Sequence, residues 1–170
     1  MTAVTQQSVI DTVPKGLFIA GEWRDSSDGS SLAVDDPATG EILTHVADAT
    51  VEDGRAALDA AVAAQAEWAR TPPRDRAELL RAAYERITER ADEFAMLMTL
   101  EMGKTLAESR GEVTYGAEFF RWFSEEAVRV HGRYSVAPNG ATRLLTMKAP
   151  VGPTGAFMVT SRVAPLGAVE

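Results

Sequence analysis

Ser124, Glu125 and Glu126, followed by His131, put a hydroxyl, two carboxylates and an imidazole within one short stretch. Their types would suit nucleophilic catalysis with a general base, but their spacing does not. On one helix Ser124 and His131 stand two turns apart, about 10 Å, beyond the hydrogen-bond reach that a nucleophile and its base require. The run Glu101-Met102-Gly103-Lys104 invites a phosphate-binding reading. A phosphate loop needs a longer glycine-rich segment ending in Lys-Ser or Lys-Thr, so Gly103 reads instead as a helix stop. The acidic residues of "ADATVEDGRAALDA" lack metal-ligand spacing and read as a solvated helix face. The chain has no cysteine, which removes disulfides, thiolate metal sites and a sulfur nucleophile. Two histidines far apart, His45 and His131, give little support to zinc.

Composition bounds the partners. With 17 Lys and Arg against 25 Asp and Glu, the net charge is −8. Phosphate backbones are held by a basic footprint, so no nucleic-acid partner is expected. No apolar run is long enough to span a bilayer, and residues 1–15 lack the basic start and apolar stretch of a signal peptide, so a cytoplasmic protein without membrane contact is expected.

The pattern along the chain predicts the elements. Residues 1–15 are polar and aperiodic and read as a flexible tail. "GLFIAGEWR" reads as one strand, and "LAV" and "ILTHVA" as a pair around the turn signals Asp36-Pro37 and Thr39-Gly40. Thr50 with Asp53 resembles a capping box, after which Val51, Leu58, Val62, Ala66 and Trp68 recur at helical spacing, with Trp68 in the core. Thr71 is the expected N-cap of the next helix, with Pro72 at its first position and a buried stripe of Ala77, Leu80, Tyr84 and Ile87. A further helix runs from Asp92 to Gly103. A long one starts at Thr105, capped by Glu108, with an apolar repeat through Val113, Ala117, Phe120, Phe123, Ala127 and Val130. Tyr115, Phe119, Trp122 and Phe123 form an aromatic cluster on that helix. "RYSVAP", Asn139-Gly140 and "TRLLTMK" read as a hairpin.

"LFIAGEWR", "DPATGE", "EMGKTLAESRGEV" and "APVGP" occur in an order and spacing that resembles the N-terminal region of the aldehyde dehydrogenase superfamily. The stretch "LEMGKTLAESRGEVTYGAEFFRWFSEEAVRVHG" is most similar to succinate-semialdehyde dehydrogenases. The resemblance implies an α/β fold: the N-terminal part of a Rossmann-like domain, made of a β-hairpin, long helices and a second hairpin serving as an oligomerisation arm, with the parallel sheet largely missing. The implied division is residues 16–132 for the cofactor-binding portion and residues 133–150 for the arm. Residues 151–170 would be the start of a cofactor-binding strand and a divergent tail. The arm matches residues 133–147, from Arg133 through Met147, and implies a homo-oligomer or pairing with a full-length relative. The helix bearing Phe119, Trp122 and Phe123 would border the substrate tunnel; plain core packing is the alternative.

The family's reaction, oxidation of a small aldehyde with NAD or NADP, uses a Cys thiolate, a general-base Glu in an E-L-G-G motif and an oxyanion-stabilising Asn in a P-W-N-F-P turn. None of these is found here; where the turn would stand the chain reads "TGAFMVTSRVAPL". The expectation is a truncated succinate-semialdehyde dehydrogenase, inactive alone, with no catalytic residue and no bound cofactor. The alternative is a non-catalytic interaction fragment. The codons AAC-TTC-CCG for Asn-Phe-Pro, read one base later, begin Thr-Ser-Arg, the residues at 160–162, so a frameshifted or otherwise truncated gene is the expectation, with a divergent ending as the alternative. Helices without their sheet further predict a poorly cooperative fold.

Overall fold

The computed structural model describes residues 5–155. Residues 156–170, which hold the divergent segment, lie outside them. The chain begins with helix α1 (Gln6–Thr12) and then forms hairpin β1 (Leu17–Ile19) with β2 (Glu22–Arg24). Hairpin β3 (Ser31–Asp35) with β4 (Ile42–Ala47) follows. Four helices come next: α2 (Val51–Trp68), α3 (Pro73–Glu89), α4 (Ala91–Met102) and α5 (Leu106–Glu126). A 3-10 turn (Ala127–Arg129) leads into a last hairpin, β5 (Arg133–Val136) with β6 (Arg143–Thr146). All three sheets are antiparallel pairs, so among the described residues there is no parallel strand.

The first correction concerns the N-terminus. Residues 6–12 are helical rather than a loose tail, because Thr5 and Ser8 form a capping box and Val9 and Ile10 bury against α4. The second concerns "GLFIAGEWR", which is a hairpin and not one strand. Ala20 (φ 55°) and Gly21 (φ 87°) both adopt positive φ, the signature of a two-residue turn whose twist matches its strands. The third is a shift of one residue: Pro73, not Pro72, opens α3, and Thr71 donates back to the Glu67 carbonyl instead of capping.

The expected capping boxes at Thr50 and Thr105 are both present. Gly103 ends α4 at φ 73°, a left-handed position that any side chain would strain. The hairpin around Asn139-Gly140 also forms. Its turn is built from Ala137 to Gly140, closed by the Gly140 N–H on the Ala137 carbonyl.

The core sits where α3 and α4 pack on α5, with α1 against α4. Ala77, Ala95, Leu100, Val113 and Ala117 are buried there. At its centre the Thr99 and Ser109 hydroxyls meet at 2.9 Å, and Ser109 is fully buried. Ser109→Val is expected to lower stability by about 1–3 kcal/mol, through an unpaired Thr99 hydroxyl and added volume in a closed contact. Chemical denaturation of the two chains checks this. A cost near zero would mean that the α4–α5 contact is looser than its geometry.

The apolar periodicities locate helix faces correctly but overstate their burial. Val51, Leu58, Val62 and Trp68 of α2 are all at least half exposed, so Trp68 is not a core residue in this chain. Of the strands and helices, α2 packs mainly on β1, which leaves most of its apolar stripe uncovered. The α5 stripe is buried at Val113 and Ala117 but open at Phe120, Phe123 and Val130. α5 itself stops at Glu126, before Ala127 and Val130 of the expected repeat.

Candidate functional site

The pairings that sequence chemistry suggested are not assembled. Ser124 donates its hydroxyl to the Arg121 carbonyl of its own helix at 2.7 Å, and His131 Nδ1 contacts the Arg129 carbonyl. The Lys104 ammonium is committed to the Glu112 carboxylate, an internal ion pair in place of a phosphate contact. No group of three or more potential metal ligands occurs among the described residues.

α5 carries aromatic rings on the face turned away from its packed side. Tyr115, Phe119 and Trp122 recur at intervals of four and three, which keeps them on one stripe. The Tyr115 and Phe119 rings meet edge to face at 5.0 Å and 89°. Phe119 is 48% exposed and Trp122 64%, with Phe123 flanking them and also open. These residues form a wall without an opposite wall. On the packed side, α4 and α5 and hairpin β3–β4 enclose an open, mainly apolar cleft of about 630 Å³. Val34, Val46, Phe94, Met98, Val113 and Phe120 line it, with Glu101 and Glu112 at its polar edge.

The sequence position of Asp53 places it in a capping box but does not foretell its burial or its reach to Ser27. It is buried. One of its carboxylate oxygens accepts from the Thr50 N–H (3.0 Å), the Thr50 hydroxyl (2.9 Å), the Ser27 N–H (3.1 Å) and the Ser27 hydroxyl (3.1 Å). Arg24 approaches the other oxygen at 3.7 Å. The backbone N–H of Ser27, then that of Thr50, holds the carboxyl well below its ordinary range. Asp53 thus pins the β2–β3 loop to the start of α2. The capping box fixes only its turn back onto Thr50; the contact with Ser27 is long-range and left no signal in the sequence.

Those caps also bear on cofactor binding. A dinucleotide's pyrophosphate is ordinarily held by free N–H groups at a helix start that follows a parallel strand. Here Asp53 and Glu108 already set carboxylates at the starts of α2 and α5, and Thr5 and Ser8 close the start of α1. The starts of α1, α2 and α5 are thus taken up by their own caps.

The comparisons decide the family. The aldehyde dehydrogenase family pattern matches residues 23–159. The chain belongs to the aldehyde dehydrogenase family. A succinate-semialdehyde dehydrogenase of Paenarthrobacter nicotinovorans is 61% identical over 112 residues, covering 66% of this chain and 25% of that protein. The NADP(+) succinate-semialdehyde dehydrogenase of Escherichia coli is 39% identical over 140 residues, covering 82% and 29% respectively. Among solved structures, an aldehyde dehydrogenase from Brucella melitensis biovar abortus superposes with a TM-score of 0.77 at 37% identity, over 86% of this chain and 30% of that one. The chain therefore spans about a quarter to a third of the length of these aldehyde dehydrogenases and matches their N-terminal architecture of helices and small hairpins. Among the described residues no helix is long and apolar enough to cross a membrane.

Proposed function

We propose that this chain is the N-terminal portion of an NAD(P)-dependent aldehyde dehydrogenase whose substrate is succinate semialdehyde, and that its 170 residues alone do not turn over. The observation that carries the substrate is the 61% identity to a succinate-semialdehyde dehydrogenase. Inactivity follows from chemistry: oxidising an aldehyde through a thiohemiacetal needs a sulfur nucleophile, and the chain has no cysteine. NAD or NADP supplies the hydride acceptor in such a reaction, and the contacts to it come from outside the described residues.

In this reading the open stripe has a use. Phe119, Trp122 and Phe123 form one side of the aldehyde's tunnel when the catalytic half faces them. The hairpin at residues 133–147 is the oligomerisation arm. Every residue of β6 is exposed, and both outer strand edges of that hairpin are unpaired within its two-stranded sheet, so it can extend a neighbour's sheet. The same surfaces support a second reading, a non-catalytic fragment that associates with itself or with a full-length relative.

Purified chain, mixed with succinate semialdehyde and either dinucleotide, is expected to give no rise in NAD(P)H absorbance above the blank. Turnover that co-elutes with the chain through successive columns would overturn the proposal.

A further inference from the structure

Asn139 is the only asparagine in the chain, and a glycine follows it. Both residues are exposed at the tip of the β5–β6 hairpin. We propose that Asn139 is a site of spontaneous covalent modification, in which the backbone nitrogen of Gly140 attacks its side-chain amide and converts it to isoaspartate and aspartate. Water is the only co-reactant. Hydroxide takes the proton of the Gly140 N–H. The nitrogen then bonds to the side-chain carbonyl carbon of Asn139, the C–NH2 bond breaks, and ammonia leaves with a proton from water. Water opens the resulting cyclic imide. Attack at its main-chain carbonyl gives isoaspartate, and attack at its side-chain carbonyl gives aspartate.

Access favours the attack. Nothing lies within 4 Å of the place where a side chain on Gly140 would start, so no bulk at that carbon shields the nitrogen. The Ala141 N–H donates to the Asn139 side-chain oxygen at 3.0 Å, and this donor stabilises the charge that gathers on the oxygen as the nitrogen adds. One hydrogen bond opposes the reaction. The Gly140 N–H donates to the Ala137 carbonyl at 2.8 Å, so the proton that must leave is held while the turn is closed. Opening takes little energy, because β5 and β6 form a two-stranded sheet that packs mainly on itself, and such a pair is marginal in water. The turn opens while the α3, α4 and α5 core stays folded, and the modification proceeds from the opened arm. Asp28-Gly29 and Asp53-Gly54 repeat the dipeptide with a carboxylate in place of the amide. An ionised carboxylate is a poor electrophile, and both are tied down, Asp28 by the Ser30 N–H at 2.8 Å and Asp53 in the capping box of α2. Isoaspartate runs the main chain through its side-chain carbon and lengthens the turn by one backbone atom. The Val136–Arg143 pair and the Ala137 N–H bond to the Thr142 carbonyl, 3.0 Å, close the turn at its present length. The longer turn misaligns them, so the modification is a one-way release of the arm. It holds whatever the arm docks on.

The whole chain and a free peptide of residues 134–143 are incubated in warm neutral buffer. Mass spectrometry follows both, the chain after trypsin, which cuts at Arg133 and Arg143. The expected result is an amide-to-acid mass gain confined to that peptide. Isoaspartate is the expected main product, identified by methylation with an isoaspartyl methyltransferase and S-adenosylmethionine. The chain is expected to convert about tenfold more slowly than the free peptide, the penalty of opening a marginal hairpin. The isoaspartate form, separated by ion exchange, is expected to lose hydrogen-exchange protection along β5 and β6, while Asn139→Asp keeps it. A chain that stays unmodified while the peptide converts fully, a chain that converts as fast as the peptide, or an isoaspartate form with β5 and β6 still protected would each overturn the proposal.

Discussion

Replacing Asp53 by alanine is expected to release the loop at Ser26 and Ser27 from the start of α2 and to produce a larger fall in thermal midpoint than any exposed charge substitution in the chain. The argument rests on what is left behind. The N–H groups of Ser27 and Thr50 both end on one Asp53 oxygen, at 3.1 and 3.0 Å. Alanine leaves those part-buried donors without their acceptor, and each then loses a charge-assisted hydrogen bond that water replaces only in part. α2 has few other attachments, so the damage concentrates there.

The same carboxylate predicts a pH dependence. Its folded-state pKa lies below the ordinary value of 3.8, so its contribution is complete above about pH 4 and is lost as pH falls through the folded value. Stability curves of the native chain and of Asp53→Ala are therefore expected to converge on acidification and to differ most near neutrality. Circular dichroism melts between pH 2 and pH 7 check this. A constant difference across the range would show that the loss is one of packing and not of the charged acceptor.

Gly132→Ala is the second large effect. A Cβ at Gly132 would fall 1.8 Å from the Thr146 carbonyl oxygen and 2.9 Å from its carbon, both backbone atoms. No rotamer relieves a clash with backbone, so the pairing of Arg133 with Thr146 must open. The hairpin touches little else, and the helical core should persist while the arm detaches. The expected readout is loss of hydrogen-exchange protection along β5 and β6 with nearly native helical circular dichroism. If the substitution left those amides protected, the approach of the two chains at this point would be wrong. Any oligomer built through the arm should fail with it.

How far the sequence could be read follows a physical division. Features set by a few neighbouring residues were legible: the boxes Thr50–Asp53 and Thr105–Glu108, the Gly103 stop and the hairpin around Asn139-Gly140. Each is a local backbone requirement met by a side chain close by. Features set by what packs opposite were not. α1 has only Val9 and Ile10 buried, too few for a periodicity, and its sole signal was the Thr5–Ser8 box. The turn at Ala20-Gly21 was masked because alanine rarely takes positive φ. Trp68 and Phe120 sit on stripes whose spacing declares a face to be covered, but spacing carries no information on whether the covering layer belongs to the same chain.

The candidate site divides the same way. The lack of a sulfur nucleophile was plain from composition, and the α5 aromatics were identifiable from their spacing. Asp53 was not, because an acidic residue in a helix's first turn is far more often solvated. Its burial depends on Ser26 and Ser27, which lie more than twenty residues earlier. Many half-exposed apolar side chains also bear on stability. Phe18, Trp23, Leu58, Trp68, Phe119 and Trp122 all remain open, and the buried apolar set is small. The thermal transition of the isolated chain should accordingly be broad.

The most direct measurement exchanges the matching region of the Paenarthrobacter succinate-semialdehyde dehydrogenase for residues of this chain and assays succinate semialdehyde oxidation. If this chain is a working N-terminal part of that kind of enzyme, the chimera keeps kcat/KM within about tenfold of the parent, a cost of no more than about 1.4 kcal/mol in the transition state. A soluble chimera that still binds the dinucleotide but shows no turnover with succinate semialdehyde would contradict the account.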